Sequence, residues 1–286
     1  MRPEWMAKRT SAALLKRVCP ARQPDTHKGD YGRVLLVCGA EGYTGAPYLA
    51  AQAALRTGAG LIYVGVPRCV YPIVAAKLHA PMVFPLPDSE GKLSMQALPQ
   101  LLERLKTADV CLLGPGLGRS EDLDRLACEV IRHCRCPLVL DADGINAVAA
   151  HIDVVREASC PIILTPHEGE FRRLTQEAQA DRVSGAISLA KQLNAVILRK
   201  GHRTVITDGK VSYVNQTGNA GMATGGSGDV LAGILAALLG QGVPPLEAAA
   251  AAAWLHGTAG DLAAAELGEY AMSPTDLIGQ LSRLLP

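Results

Sequence analysis

A chain of 286 residues, 49% hydrophobic and 19% charged, can bury a substantial core and is too apolar to remain unfolded. A formal net charge of +1, with two Phe and two Trp, leaves no electrostatic or stacking case for nucleic acid or an anionic membrane as partner. The apolar runs are broken by Gly240, Pro244, Pro245 and Glu247 well short of the roughly 20 residues of a membrane helix. The N-terminus carries Arg2, Lys8, Arg9, Lys16 and Arg17 without the apolar centre or cleavage site of a secretory signal. Eight cysteines, at 19, 38, 69, 111, 128, 134, 136 and 160, form no Cys-x-x-Cys pair. They read as reduced cytosolic thiols, and a cytoplasmic protein is expected. His133-Cys134-Arg135-Cys136 lacks a second pair of ligands, so no metal site is assigned.

In chain order, residues 3–19 carry Trp5, Ala12, Leu15 and Cys19 at helical spacing until Pro20 and Pro24 stop the pattern, which predicts a leading helix in an N-terminal extension over 1–24. From Gly32 a grammar repeats: a short β-rich run, then glycine, then an Ala/Leu-rich helical run. Arg33 to Cys38 is the first strand, Gly39 to Gly45 the turn, and Ala46 to about Thr57 the helix. Runs at 61–66, 110–113, 137–141, 161–165 and 195–200 continue the series, with a helical stretch near 94–106. Strands apolar on both faces that alternate with helices predict a mostly parallel sheet between helical layers. Asp208-Gly209 between two β-rich runs predicts a hairpin over 205–214 and an antiparallel edge. Three helices, at about 228–240, 244–267 and 274–284, close what reads as one domain over 25–286, since no long Ser/Gly/Pro-rich linker interrupts it.

Ligands of open α/β sheets bind beyond the carboxyl ends of the strands. Here those ends read Gly39 to Gly45, Gly114-Pro115-Gly116-Leu117-Gly118, Asp141-Ala142-Asp143-Gly144-Ile145-Asn146, Thr165-Pro166-His167-Glu168-Gly169-Glu170 and Lys200-Gly201-His202-Arg203-Thr204. Five polar or glycine-rich ends on one edge indicate a binding face. Thr165-Pro166-His167-Glu168 also fits a helix start, a capping box with proline at the first helical position. Asp141 and Asp143 could hold water or a cation, or simply turn the chain. Lys200 and Arg203 offer positive charge to phosphate, or else are solvated strand ends.

The most informative stretch is Gly218 to Asp229, five glycines and a carboxylate ahead of an apolar helical run. Glycines before a helix let amides converge on an anion at the positive end of the dipole. Gly225, Gly226, Ser227 and Gly228 are therefore the candidate anion hole. A carboxylate beside phosphate is repelled by it, so Asp229 makes sense as a base for a hydroxyl about to be phosphorylated. The alternative is an N-cap and a flexible loop. There is no Gly-x-x-x-x-Gly-Lys-Ser/Thr, so this is not a P-loop protein.

Together, His27 to Arg33, Gly42 to Ala46, Gly114 to Gly118, Leu140 to Asn146, Leu164 to Glu170 and Asn215 to Asp229 resemble the NAD(P)H-hydrate dehydratases of the ribokinase-like superfamily. The resemblance implies a three-layer α/β/α sandwich that restores (6S)-hydrated NADH or NADPH at the expense of ADP, with ATP as the alternative, giving AMP and phosphate, with Mg²⁺ accompanying the nucleotide. Carried over to this chain, it implies that Ala46, Gly118, His167 and Asp229 contact the hydrated nicotinamide. Lys200, Gly201, His202, Arg203, Thr204 and Gly228 would contact the adenine nucleotide, with Asp229 as catalytic base and Asp141 and Asn146 in support. Ala220 and Ser227 stand where the family often has proline and threonine. The resemblance also implies a homo-oligomer, with a tetramer favoured, and an epimerase on a separate chain. A small-molecule kinase of the same superfamily and a non-catalytic adenine-nucleotide-binding module are the competing readings, because the glycine loop alone identifies only phosphoryl transfer.

Overall fold

The computed structural model describes residues 7–175 and 181–286. The chain begins with β1 (Lys8–Arg9), α1 (Ala12–Val18), β2 (Arg33–Val37), α2 (Gly45–Arg56), β3 (Leu61–Pro67), α3 (Tyr71–Lys77) and β4 (Met82–Leu86). A small hairpin, β5 (Asp88–Ser89) and β6 (Lys92–Leu93), leads to α4 (Leu98–Leu105), β7 (Val110–Leu113), α5 (Glu121–His133) and β8 (Leu138–Leu140). Next come α6 (Asp143–Val148), α7 (Asp153–Arg156), β9 (Ile162–Leu164), α8 (Glu168–Thr175), α9 (Arg182–Leu193) and β10 (Val196–Arg199). The last elements are β11 (Val205–Thr207), β12 (Ser212–Val214), α10 (Ser227–Gly240), α11 (Pro245–Leu267) and α12 (Pro274–Gln280).

The main sheet has the order β1-β12-β11-β10-β9-β8-β7-β2-β3-β4. From β4 to β10 every neighbouring pair is parallel, whereas β10-β11 and β11-β12 are antiparallel. Side chains alternate across it as strand geometry requires. Val34 and Leu36 pack into one apolar layer with α2, α10 and α11, while Leu35 and Val37 pack into the other with α4, α5 and α9. The result is the three-layer α/β/α sandwich, and the parallel strands are buried on both faces as their unbroken apolar runs require.

The expected hairpin forms at Asp208-Gly209: the Asp208 carboxylate accepts from the amides of Lys210 and Val211 at 2.8 and 2.7 Å, and Gly209 sits at φ 84°. Two expectations need correction. The leading helix starts only at Ala12, capped by Ser11 Oγ, because Lys8 and Arg9 form a strand that pairs in parallel with β12. The antiparallel edge is thereby covered, and Lys8 Nζ lies 5.9 Å from the Tyr213 ring centre. Trp5 lies outside the described residues. At the opposite side of the sheet, β4 extends it by a strand that the sequence did not suggest. Its Pro85 is tolerated because β4 is an edge.

The central contact of the helical layer is between α2 and α10. Ala50, Ala51, Ala53 and Ala54 are buried there, and a Cβ built on Gly233 would lie 2.2 Å from the Ala50 carbonyl oxygen. Two backbones approach this closely only where one residue lacks a side chain. Gly233→Ala, although it favours the helix by propensity, is therefore expected to destabilise the fold by about 1–3 kcal/mol. Urea unfolding checks this, and an unchanged or raised midpoint would refute the packing argument.

Candidate active site

The carboxyl ends of β8, β9 and β10 meet the start of α10. Asp141, at the end of β8, is 1% exposed and accepts from Lys200 Nζ at 2.7 Å and from Thr165 Oγ1 at 2.6 Å. Three adjacent strand ends are thus joined through one carboxylate. Burial alone would lower the Lys200 pKa, but Asp141, Glu170 and Asp229 outweigh it, and the ammonium is held charged with its pKa raised. Its Nζ lies 3.5 Å from where a Cβ of Gly228 would sit, so a cation stands over the first turn of α10.

Gly226, the N-cap of α10, is at φ 95°, and a Cβ there would lie 2.5 Å from Leu49 Cδ1. Gly225, exposed, has nothing within 4 Å of its Cβ position. The first-turn amides of a helix have no intrahelical acceptors; here the Ser227 amide turns back to the Thr224 carbonyl at 3.4 Å, and the Lys200 ammonium stands beside the turn at Gly228. Asp229 lies in that same turn. Burial, together with the negative charge of Asp141 and Asp143, pushes its carboxyl pKa up to about 7 against the opposing pull of Lys200.

Gly118, at φ 75°, donates its amide to Asp143 Oδ2 at 2.9 Å. Asp143 Oδ1 accepts from Asn146 Nδ2 at 3.3 Å, and Asn146 Oδ1 accepts from Arg173 Nη1 at 2.8 Å. Asn146 thus steadies the carboxylate that fixes the Gly118 loop. Ala46, buried in the first turn of α2, lies against Gly116, whose Cβ would fall 2.9 Å from that of Ala46. The alkyl chain of Lys92, from the β5-β6 hairpin, comes within 3.3 Å of a Cβ on Gly118.

The helix start at 165–168 differs from expectation. His167, not Thr165, caps α8: its Nδ1 accepts from the amides of Gly169 and Glu170 at 2.9 and 3.2 Å, and Glu170 Oε2 accepts from the His167 amide at 2.9 Å. Pro166 therefore precedes the cap. Thr165 cannot serve as cap because its hydroxyl is committed to Asp141. With Nδ1 accepting, the ring proton belongs on Nε2, which lies 3.1 Å from Glu170 Oε1. The His167 side chain remains 55% exposed. Glu170 itself is buried, and burial raises its pKa against the pull of Lys200.

Of the expected nucleotide-binding segment, Lys200 and Gly228 adjoin the Asp229 cluster. Gly201, at φ 139°, is held over the Arg182 guanidinium, whose Nη2 donates to the Lys200 carbonyl at 3.0 Å. Thr204 Oγ1 closes the turn onto the Gly201 carbonyl at 2.9 Å, and His202 and Arg203 stand exposed on it. Neither is among the charges that shift Asp229.

Sequence reading missed several partners. Arg199, 2% exposed, makes a two-pronged pair with Glu168 at 3.0 and 2.9 Å and lies 3.8 Å from the Phe171 ring centre, fixing the start of α8 to the end of β10. From α11, His256 Nε2 lies 3.3 Å from Ser227 Oγ, and Asp261 Oδ2 accepts from the Gly218 amide at 2.9 Å. A histidine and an aspartate in a helix otherwise rich in alanine were the available signal. Among the described residues no group of three or more His, Cys, Asp or Glu is placed to hold a metal, and no helix is long and apolar enough to cross a membrane.

This arrangement is that of a ribokinase-like α/β/α protein with a glycine-rich helix start and a carboxylate in its first turn. A family model described as NAD(P)H-hydrate dehydratase matches residues 34–283, and the chain belongs to that family. It is 48% identical over 282 residues to a bifunctional NAD(P)H-hydrate repair enzyme of Moorella thermoacetica, covering 96% of this chain and 53% of that one. It is 36% identical over 260 residues to an ADP-dependent (S)-NAD(P)H-hydrate dehydratase of Neisseria meningitidis, covering 88% of this chain and 84% of that one. A crystal structure of the ADP/ATP-dependent NAD(P)H-hydrate dehydratase of Bacillus subtilis, co-crystallised with ATP/Mg²⁺, superposes with a TM-score of 0.82 at 28% identity and 97% coverage of each chain. The chain spans about half the length of the bifunctional relatives it matches.

The raised Asp229 pKa has a sign that stability can read. A carboxyl that ionises at about 7 in the fold and near 4 when unfolded adds stability that is complete below about pH 4 and lost as pH rises through about 7. Asp229→Asn should therefore nearly match the parent at pH 4 and exceed it by about 4 kcal/mol at pH 8. Urea titrations at the two pH values measure the difference, and equal gains at both would contradict the assignment.

Proposed function

We propose that this chain dehydrates (6S)-hydrated NADH and NADPH using ADP, with ATP as the alternative phosphoryl donor. The observation that carries the reading is Asp229, a carboxylate with a pKa of about 7 in the first turn of α10, beside an ammonium and a row of glycine amides. A base needs a pKa near working pH, and amides with a cation suit a transferring phosphoryl group.

In this reading Asp229 takes the proton from the C6 hydroxyl of the hydrated ring as that oxygen attacks the terminal phosphorus of ADP, and AMP departs. The new C6–O–P bond turns a poor leaving group into a good one. Loss of phosphate from C6 with loss of a proton from C5 then restores the ring double bond. The Gly225, Gly226, Ser227 and Gly228 amides stabilise charge on the phosphoryl group. Lys200 to Thr204 with Gly228 hold the nucleotide, while Ala46, Gly118 and His167 hold the hydrated ring, with Asp141 and Asn146 supporting from behind.

The acids nearby are engaged by the protein itself, Asp141 by Lys200 and Thr165, and Asp143 by Gly118 and Asn146. Magnesium fits as a companion of the nucleotide phosphates, where it offsets their charge. A homo-oligomer in the cytoplasm completes the proposal.

Incubation with hydrated NADH and ADP, followed by the return of NADH absorbance, tests it directly. Recovery of NADH with AMP and phosphate is expected, whereas a stable phosphorylated product would make the chain a kinase. Asp229→Asn should retain ADP binding and lose about 10²- to 10⁴-fold in turnover. In the parent, turnover should rise with pH through about 7 and level off above it, because only the ionised carboxylate accepts a proton. Near-normal turnover of the variant would remove Asp229 from the mechanism.

A further inference from the structure

The glycine loop carries a tight turn of its own over Ala220–Met222, and α11 anchors it at both ends. Trp254, Gly257 and Asp261 recur at helical spacing, as do His256 and Gly260. Thr217 Oγ1 donates to the Trp254 carbonyl at 3.2 Å. Gly257 lets the loop lie on the helix backbone, since a Cβ there would be 2.2 Å from Thr217 Oγ1 and 2.7 Å from the Thr217 carbonyl oxygen. Gly260 does the same for Met222, whose Sδ would lie 2.3 Å from a Cβ.

Asp261 grips the loop with both oxygens. Oδ2 accepts from the Gly218 amide at 2.9 Å, and Oδ1 accepts from Asn219 Nδ2 at 3.1 Å. Asn219 is thereby oriented so that its own Oδ1 accepts from the Gly221 amide at 3.0 Å. At the other end of the loop, His256 meets the Ser227 hydroxyl. Burial lowers the His256 pKa to about 4, so the ring is neutral there. Between the two grips, Ala223, Thr224 and Gly225 stand exposed. The loop is fixed at both ends and open in the middle, where a phosphoryl group must enter.

Resting on the functional reading above, we infer that Asp261 is a positioning residue: without touching substrate, it fixes the Gly218 to Met222 arm and thereby the register of the Gly225 to Gly228 amides that receive the transferring phosphoryl group. The geometry favours an effect on rate over an effect on folding. Asp261 is exposed, so its removal opens no core cavity. Hydrogen bonds to a charged group are the stronger kind, and loss of alignment acts most where charge develops.

The test measures kcat, KM for the hydrated dinucleotide and the thermal midpoint for the parent, Asp261→Ala, Asp261→Asn, Asn219→Ala and the Asp261→Ala/Asn219→Ala double variant. Asp261→Ala should lose about tenfold or more in kcat, with KM within a few-fold and the thermal midpoint near that of the parent. Asp261→Asn should recover part of the rate, because its Oδ1 still accepts from the Gly218 amide. The double variant should be no slower than Asp261→Ala, since both substitutions break one grip. Turnover of Asp261→Ala within twofold of an active parent, or a lowered thermal midpoint with unchanged kcat, would overturn the inference while leaving the function intact. An inactive parent would overturn the function and the inference together.

Discussion

The site depends on the buried pair of Asp141 and Lys200. Burying two charges is costly, and such a pair is poor evidence of stability by itself. Its value here is positional: Asp141 comes from β8, Lys200 from the end of β10, and Thr165 at the end of β9 supplies the hydroxyl between them. One carboxylate therefore sets the spacing of three strand ends and holds an ammonium over Gly228. The same carboxylate repels Asp229 and helps push its pKa up to about 7, after burial the largest cause. Positioning a cation and tuning a base are two effects of one interaction.

A second layer of support comes from contacts between the helices. α2 and α10 approach backbone to backbone at Gly233, which fixes where α10 begins relative to the first turn of α2, which carries Ala46. α11 supports the loop ahead of α10 through residues with little or no side chain and two polar grips. The flexible-looking glycines are thus shaped from outside. Gly226 and Gly218 hold positive φ, and Leu49, Pro274 and Met222 occupy the space where side chains would go.

Much of this was legible in sequence because the signals were local. Unbroken apolar runs gave the parallel strands, Asp208-Gly209 gave the hairpin, and glycine ahead of an apolar run gave the start of α10. What escaped was decided by partners distant in sequence. Lys8 and Arg9 become a strand only because β12 offers an open edge. β4 contains Pro85, which argues against a strand until its edge position is known. The cap at α8 shifted from Thr165 to His167 because a buried aspartate 24 residues earlier claimed the threonine hydroxyl. Asp261 acts on a loop 43 residues earlier, a relation no periodicity encodes.

The opening difficulty, a carboxylate beside a phosphate cradle, resolves through charge balance. Asp229 shares its surroundings with Asp141, Asp143 and the ammonium of Lys200, and near neutral pH it is about half protonated. Incoming phosphate adds negative charge and alone would protonate it further, disabling the base. The first-turn amides of α10, the helix dipole and the cation accompanying the nucleotide act in the opposite direction. Asp229 can serve as a base in the loaded site only if the cradle neutralises the phosphates well. In the proposed reaction this makes the alignment of the Gly225 to Gly228 amides a condition for proton removal as well as for phosphoryl transfer, and it ties both parts of the phosphorylation step to the same loop.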